Sequence, residues 1–253
     1  MKLKIVLITG ATSGIGKATA LLLAQNGHKL ILCGRRKSRL DDLSEEIRKS
    51  YSTAVHTLNM DLRNKDEVFA AIDSLPDAFK PIDVLINNAG LASGLSTVDE
   101  GVLDDWEKMI DTNLKGLLYM SRAVLPLMPK NGDGHIINLG SIAGKEAYIN
   151  GNVYCATKAA VDNLTRGMRI DLAKFPIRVS AIHPGAVETE FSIVRFKGDE
   201  ERAKKVYDGF ENLLANDCAE AIWFILNRPN HVNINELTIM PTAQPNATTI
   251  LRK

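Results

Sequence analysis

Apolar residues along this chain occur in two alternating textures. Short runs rich in apolar and β-branched residues, at 4–9, 29–33, 54–60, 82–86, 135–139, 178–182 and near 237–240, read as strands, the first of them buried on both faces. Between them lie stretches with helical apolar spacing: 17–26, closed by Gly27, a charged helix over 39–50, another over 65–75, and a long one over 103–128. A further helix follows the fifth strand. Strands alternating with helices predict an α/β fold, a doubly wound parallel sheet of about seven strands with helices on both faces. Residues 188–214 break the rhythm just after a strand end and are rich in charge, which predicts a helical insert or flap over a site. No linker, repeat or low-complexity stretch interrupts the pattern, so one domain over 1–253 is expected.

Composition narrows the function classes. At 253 residues, 45% hydrophobic and 24% charged, the chain has the profile of an ordinary globular protein. A formal net charge of +1 gives no electrostatic case for a nucleic acid or an anionic membrane as partner. No apolar run reaches the ~18 residues of a membrane span. The apolar start runs into a glycine-rich turn without a cleavage site, so it reads as a buried strand and not as a signal peptide. Cys33, Cys155 and Cys218 are too scattered for a disulfide framework, and the histidines at 28, 56, 135, 183 and 231 lack ligand spacing. A reduced, cytoplasmic setting without a metal is expected.

Candidate chemistry gathers at the predicted strand ends. The first strand leads into Thr9-Gly10-Ala11-Thr12-Ser13-Gly14-Ile15-Gly16 and then a helix. In that context glycines let the backbone approach a pyrophosphate while the helix N-terminus offers N–H groups. The second strand ends in Gly34-Arg35-Arg36, with no carboxylate for a ribose 2′-hydroxyl and two guanidinium groups that suit a 2′-phosphate. NADP is therefore expected over NAD. Asn87-Asn88-Ala89-Gly90 leaves room for a ligand at the fourth strand end, and Asn113 sits inside the long helix. Ser141 follows the fifth strand. Tyr154 and Lys158 share a helical face one turn apart, where an ammonium would favour phenolate and draw the tyrosine pKa down toward the working range of an acid/base.

As an ordered set these residues resemble the short-chain dehydrogenase/reductase family over essentially the whole chain, through the glycine-rich turn, Asp61, Asn87-Asn88-Ala89-Gly90, Asn113, Ser141, Tyr154-x-x-x-Lys158 and Pro184-Gly185 followed by Thr189. The resemblance implies a Rossmann-type fold with Tyr154 as acid/base, Lys158 tuning it, Ser141 holding the substrate oxygen and Asn113 holding a relay water. It implies cofactor contacts from Gly10, Ser13, Gly14, Ile15, Arg35, Arg36, Asp61, Asn87, Tyr154, Lys158, Val187 and Thr189. A homotetramer is also implied.

Thr189-Glu190-Phe191-Ser192-Ile193-Val194-Arg195-Phe196-Lys197-Gly198-Asp199, Pro229-Asn230-His231-Val232-Asn233-Ile234-Asn235 and Met240-Pro241-Thr242-Ala243-Gln244 are similar to a branch that acts on serine and other 3-hydroxy acids with NADP. A hydroxy acid needs a cation for its carboxylate. Arg195 is the first choice and Lys197 the second, and Glu190 could meet a substrate amino group. The competing expectations are a broad carbonyl or 3-ketoacyl reductase with the same catalytic set, and a non-enzymatic NADP-binding sensor. A sensor would show a broken catalytic set, and this set is complete.

Overall fold

The computed structural model describes residues 2–129, 134–175 and 177–253. Its main sheet contains β1 (Ile5–Thr9), β2 (Lys29–Gly34), β3 (Val55–Asn59), β4 (Val84–Asn87), β5 (His135–Leu139), β6 (Arg178–Pro184) and β9 (Glu236–Ile239), ordered β3-β2-β1-β4-β5-β6-β9. Every pairing is parallel. All strands therefore end along one edge. The chain reverses its winding between β1 and β4, and the crevice there is where such sheets receive ligands.

Alternation along the strands separates two cores. Leu7 faces one side and packs with Val68, Leu117, Met120, Val161 and Met168, from helices α3 (Lys65–Asp73), α5 (Gly116–Val124) and α6 (Asn152–Asp171). Val6 and Ile8 face the other and pack with residues of α1 (Gly14–Gln25), α2 (Lys37–Tyr51) and α9 (Ala215–Leu226). Because strands of this kind are covered on both faces, β1, β4 and β6 are buried along nearly their whole length instead of alternating in and out.

Two departures from the expected helix bounds bear on the site. α1 begins at Gly14, inside the glycine-rich turn, which brings its first N–H groups to the strand edge. The long helix expected over 103–128 is divided into α4 (Leu103–Ile110), a π turn (Asp111–Lys115) and α5, followed by a 3₁₀ turn (Leu125–Leu127). Asn113 lies in the π turn, a device that often marks functional sites.

The irregular segment after β6 holds a short parallel pair, β7 (Val187–Glu188) with β8 (Leu213–Leu214), around α7 (Phe191–Arg195) and α8 (Glu200–Lys205). The C-terminal tail laps back over it: Arg252 donates to the carbonyls of Val206 and Asp208, and the Lys253 N–H to Gly209 O at 2.8 Å. Among the described residues no helix is long and apolar enough to cross a membrane.

Candidate active site

Two adjoining cavities of about 280 Å³ each open along the strand ends. Ile15, Asn88, Gly90, Leu139, Thr189 and Phe191 line both and form the seam between them.

The first cavity is bounded by the glycine-rich turn, Arg35, Arg36 and Asp61. Gly10 and Gly14 have φ of +65° and +52°, where a side chain would be strained. A Cβ at Gly16 would sit 2.4 Å from Gly10 O and 2.5 Å from Asn88 Nδ2. The bare backbone thus keeps a cradle open beside the start of α1, a fit for a pyrophosphate. Arg36 donates through Nε and Nη2 to Thr12 Oγ1 (3.2 and 2.8 Å) and through Nη2 to Ser13 Oγ (2.9 Å), which fixes it across the turn. Arg63 hydrogen-bonds Asp61 and, with Arg35 at 3.9 Å, keeps the Asp61 carboxyl below its usual range. Asp61 therefore stays ionised at neutral pH and can accept a hydrogen bond at the cavity wall. A dinucleotide with a 2′-phosphate fits this donor set.

Two expectations for this region are corrected. Asn87 does not reach the cavity. It is buried, and its Nδ2 donates to Ser121 Oγ (3.0 Å) and Asn138 Oδ1 (2.9 Å), tying β4 to α5 and β5. Asn88 is the asparagine on the wall, its amide bonded to Thr9 O at 2.8 Å. Glu190, expected on the substrate side, is turned the other way. Its carboxylate accepts from Arg36 at 2.8 Å and Arg39 at 2.6 Å, because two cations on α2 and its N-cap outcompete any weaker partner.

The second cavity holds the acid/base candidates. Ser141 caps the 3₁₀ turn (Ile142–Gly144) after β5, its Oγ accepting from Ala143 N at 3.1 Å. Tyr154 and Lys158 come from the first two turns of α6, both buried. The expected depression of the Tyr154 pKa by Lys158 is not what the geometry gives. Burial raises the phenol above its ordinary value, and the opposing pull comes from Arg195 and from a hydrogen bond with Ser141. Lys158 instead donates to Leu139 O at 2.8 Å, and burial pushes its ammonium down to about 8. A Cβ added to Gly90 would lie 3.3 Å from both Lys158 Nζ and Asn113 Oδ1, so that glycine makes room for the pair.

The Asn113 side chain is spent on structure. Its Oδ1 accepts from Leu91 N (2.8 Å), and its Nδ2 donates to Leu91 O (2.8 Å) and Thr157 Oγ1 (3.0 Å). It clamps the loop after β4 to α6, and the amide has no donor left for a water.

Arg195, on α7, is half-buried. Its guanidinium lies 5.0 Å from the Tyr154 ring centre, 5.1 Å from Phe191 and 5.6 Å from Tyr148, and it donates to Tyr148 Oη at 2.5 Å. Its buried Nε has no hydrogen-bond partner among the described residues. Lys197, the second candidate, is paired with Asp105 at 2.7 Å. Val187, Thr189, Tyr207, Gln244, Ala247 and Ile250 complete the wall. Tyr148, Arg39 and the tail residues carry no signal as isolated letters, although Arg39 stands three places after Arg36, on the same helical face.

Behind Ser141, Lys145 pairs with Asp162 (2.8 Å) and Glu236 (2.7 Å), and Arg166 with the same two carboxylates (both 3.1 Å). His183 Nε2 lies 3.5 Å from Asp162 Oδ1. These carboxylates already have cations, so the group reads as a brace between α6, β6 and β9.

Fold, cradle and acid/base cluster define a dinucleotide-dependent oxidoreductase. The chain belongs to the short chain dehydrogenase family, whose pattern matches residues 4–200. It is 48% identical over 241 residues to the NADP-dependent 3-hydroxy acid dehydrogenase YdfG of Salmonella typhi, covering 95% of this chain and 96% of that one. It is 46% identical over 241 residues to sulfoacetaldehyde reductase 2 of Chromohalobacter salexigens, covering 95% of each. Its fold superposes on the closed form of a serine dehydrogenase complexed with NADP+, with a TM-score of 0.91 and 45% identity over 98% of this chain and 99% of that one.

Proposed function

We propose that this chain uses NADP to move a hydride between nicotinamide and the hydroxyl-bearing carbon of a small 3-hydroxy acid of the serine, allo-threonine or 3-hydroxypropionate type, or the matching semialdehyde or keto acid. The observation that carries the reading is Arg195: a half-buried guanidinium on the wall of the second cavity, 5.0 Å from the Tyr154 ring centre. A substrate carboxylate paired there would set its hydroxyl near the phenol, and an uncharged alcohol would leave that cation uncompensated.

Bound NADP supplies the hydride acceptor. In the oxidation neutral Lys158 takes the Tyr154 proton, the phenolate takes the substrate's hydroxyl proton, and Ser141 donates to the substrate oxygen as charge develops on it; in the reduction the protons run back from the Lys158 ammonium through the phenol. An ammonium at about 8 can do this near neutrality because both of its protonation states are accessible. Asn113 acts by clamping α6 to the Leu91 loop. Gly10, Ser13, Gly14 and Ile15 would cradle the pyrophosphate, Arg35 and Arg36 the 2′-phosphate, and Asp61 the adenine. Val187 and Thr189 would meet the carboxamide.

A carbonyl or 3-ketoacyl reductase would share this chemistry without needing the arginine. The sulfoacetaldehyde reductase among the relatives shows that a sulfonate is a second anion worth testing at the Arg195–Tyr148 pair. Exposed Leu103, Ile110, Leu118 and Ile170 on α4–α6 support the homotetramer, which sedimentation velocity would measure, and a cytoplasmic setting fits three free, buried cysteines.

Steady-state rates on L-serine, L-allo-threonine, 3-hydroxypropionate, isethionate and an uncharged alcohol test the reading. Tyr154→Phe should keep NADPH binding and lose about 10²- to 10⁴-fold in turnover. Arg195→Ala should raise KM for the acids far more than for the alcohol, on top of a change in kcat common to both from the lost pull on Tyr154. Equal rates on the uncharged alcohol, indifferent to Arg195→Ala, would refute the acid-specific reading.

A further inference from the structure

The pairing of Glu190 connects the two ends of the site. Its two oxygens are divided between two arginines, Oε2 taking Arg36 Nη1 at 2.8 Å and Oε1 taking Arg39 Nη1 at 2.6 Å. Arg36 spends Nε and Nη2 on Thr12 and Ser13, so one edge of its guanidinium is fixed to the turn and Nη1 points at the carboxylate. Arg36 is the N-cap of α2 and Arg39 lies in its first turn, so helical spacing brings both side chains to one place. The result is a fork of two cations around a pair of oxygen atoms, beside the cavity wall that also carries Arg35.

From this arrangement we infer that Arg39 is a third cation of the 2′-phosphate subsite, and that the Glu190 carboxylate is the counter-anion a 2′-phosphate must displace from it. The inference rests on NADP as cofactor. A carboxylate carries one negative charge, and a phosphate monoester at neutral pH carries about 1.5 to 2 with three acceptor oxygens. The exchange therefore favours the phosphate, and a cofactor without one leaves the ion pairs intact. Both pairs are about 40% exposed on the Glu190 side, so their strength is the modest one of screened surface pairs, suited to an exchange and not to a lock.

The position of Glu190 gives the exchange a second effect. It is the N-cap of α7, the helix whose last residue is Arg195. Displacing it releases the start of that helix from α2.

Binary binding separates this from the functional reading. NADPH and NADH are titrated by fluorescence, and adenosine 2′-phosphate by displacement, against wild type, Glu190→Gln, Arg39→Ala and the double variant. Glu190→Gln should bind NADPH and adenosine 2′-phosphate about three- to tenfold more tightly, with NADH unchanged. Arg39→Ala should weaken NADPH and adenosine 2′-phosphate about tenfold without affecting NADH, and the gain from Glu190→Gln should shrink in the double variant. Weaker or unchanged NADPH binding in Glu190→Gln would overturn the exchange, because Glu190 would then only position the arginines. Equal loss of NADH in Arg39→Ala would overturn the subsite assignment. A wild type that binds NADPH no better than NADH would overturn the NADP reading as well, whereas a clear preference unmoved by either substitution overturns this inference alone.

Discussion

Replacing Lys158 by methionine tests the claim that the fold buries an ammonium at a cost. Burial lowers the Lys158 pKa from 10.5 to about 8, which corresponds to about 3 kcal/mol of lost stability at neutral pH. The unfolded chain keeps the lysine proton up to about pH 10.5, and the folded protein releases it above about pH 8. Between those values unfolding takes up a proton, so stability rises with pH, and below about 8 the full cost is present. Methionine keeps most of the chain volume and removes the charge, but it forfeits the 2.8 Å bond to Leu139 O, which offsets the gain by about 1.5 to 3 kcal/mol. The absolute change at pH 7 is therefore small.

The pH dependence is the decisive quantity. From pH 7 to pH 9.5, wild type should gain about 2 kcal/mol relative to Lys158→Met, because only wild type sheds the cost. Urea titrations of the cofactor-free proteins at the two pH values give the difference, and other titrating groups cancel between the variants. A stability difference that does not move with pH would place the ammonium in a water-like setting. It would also remove the physical basis for a lysine that exchanges protons near neutrality.

Asn113→Leu leaves Leu91 N and O without their 2.8 Å partners and should cost about 2 to 4 kcal/mol; urea unfolding that matches wild type would show that the clamp carries no load. Gly16→Ala pushes a methyl to 2.4 Å from Gly10 O, so it should lower Tm by about 2 to 10 °C and weaken NADPH binding more than tenfold. An unchanged NADPH affinity would mean that the cradle yields more easily than its geometry indicates.

Local signals made most of the fold readable. β5 occupies the expected 135–139, because a short run built on Ile136, Ile137 and Leu139 lies there between Gly134 and Gly140. The break in the long helix at Asp111–Lys115 left no such trace, since Asn113 is held by Leu91 and Thr157, contacts across 22 and 44 positions. The direction of Glu190 is hidden in the sequence for the same reason: its partners lie 154 and 151 positions away, and a charge in a flap points at no partner until the chain is folded. Asn87 and Asn88 show the limit most sharply. Adjacent residues of one kind divide between core and cavity by strand alternation, and the motif alone does not say which turns inward. Ser141, Tyr154 and Lys158 escaped this difficulty because an i,i+4 pair and a strand end fix their directions locally.

Helix α6 presents Tyr154, Lys158 and Asp162 at intervals of four residues: the phenol, the ammonium, and the carboxylate that ties the helix to Lys145 behind Ser141. One inserted residue anywhere among them would swing everything beyond it by about 100°. The acid, its proton source and their anchor are thus inherited as a single ruler that tolerates substitution poorly and insertion not at all. The walls around that ruler, α7 and the C-terminal tail, come from distant stretches of chain with no such register to keep. Those walls can change length without disturbing the ruler, although a change at Arg195 also resets the phenol it pulls on.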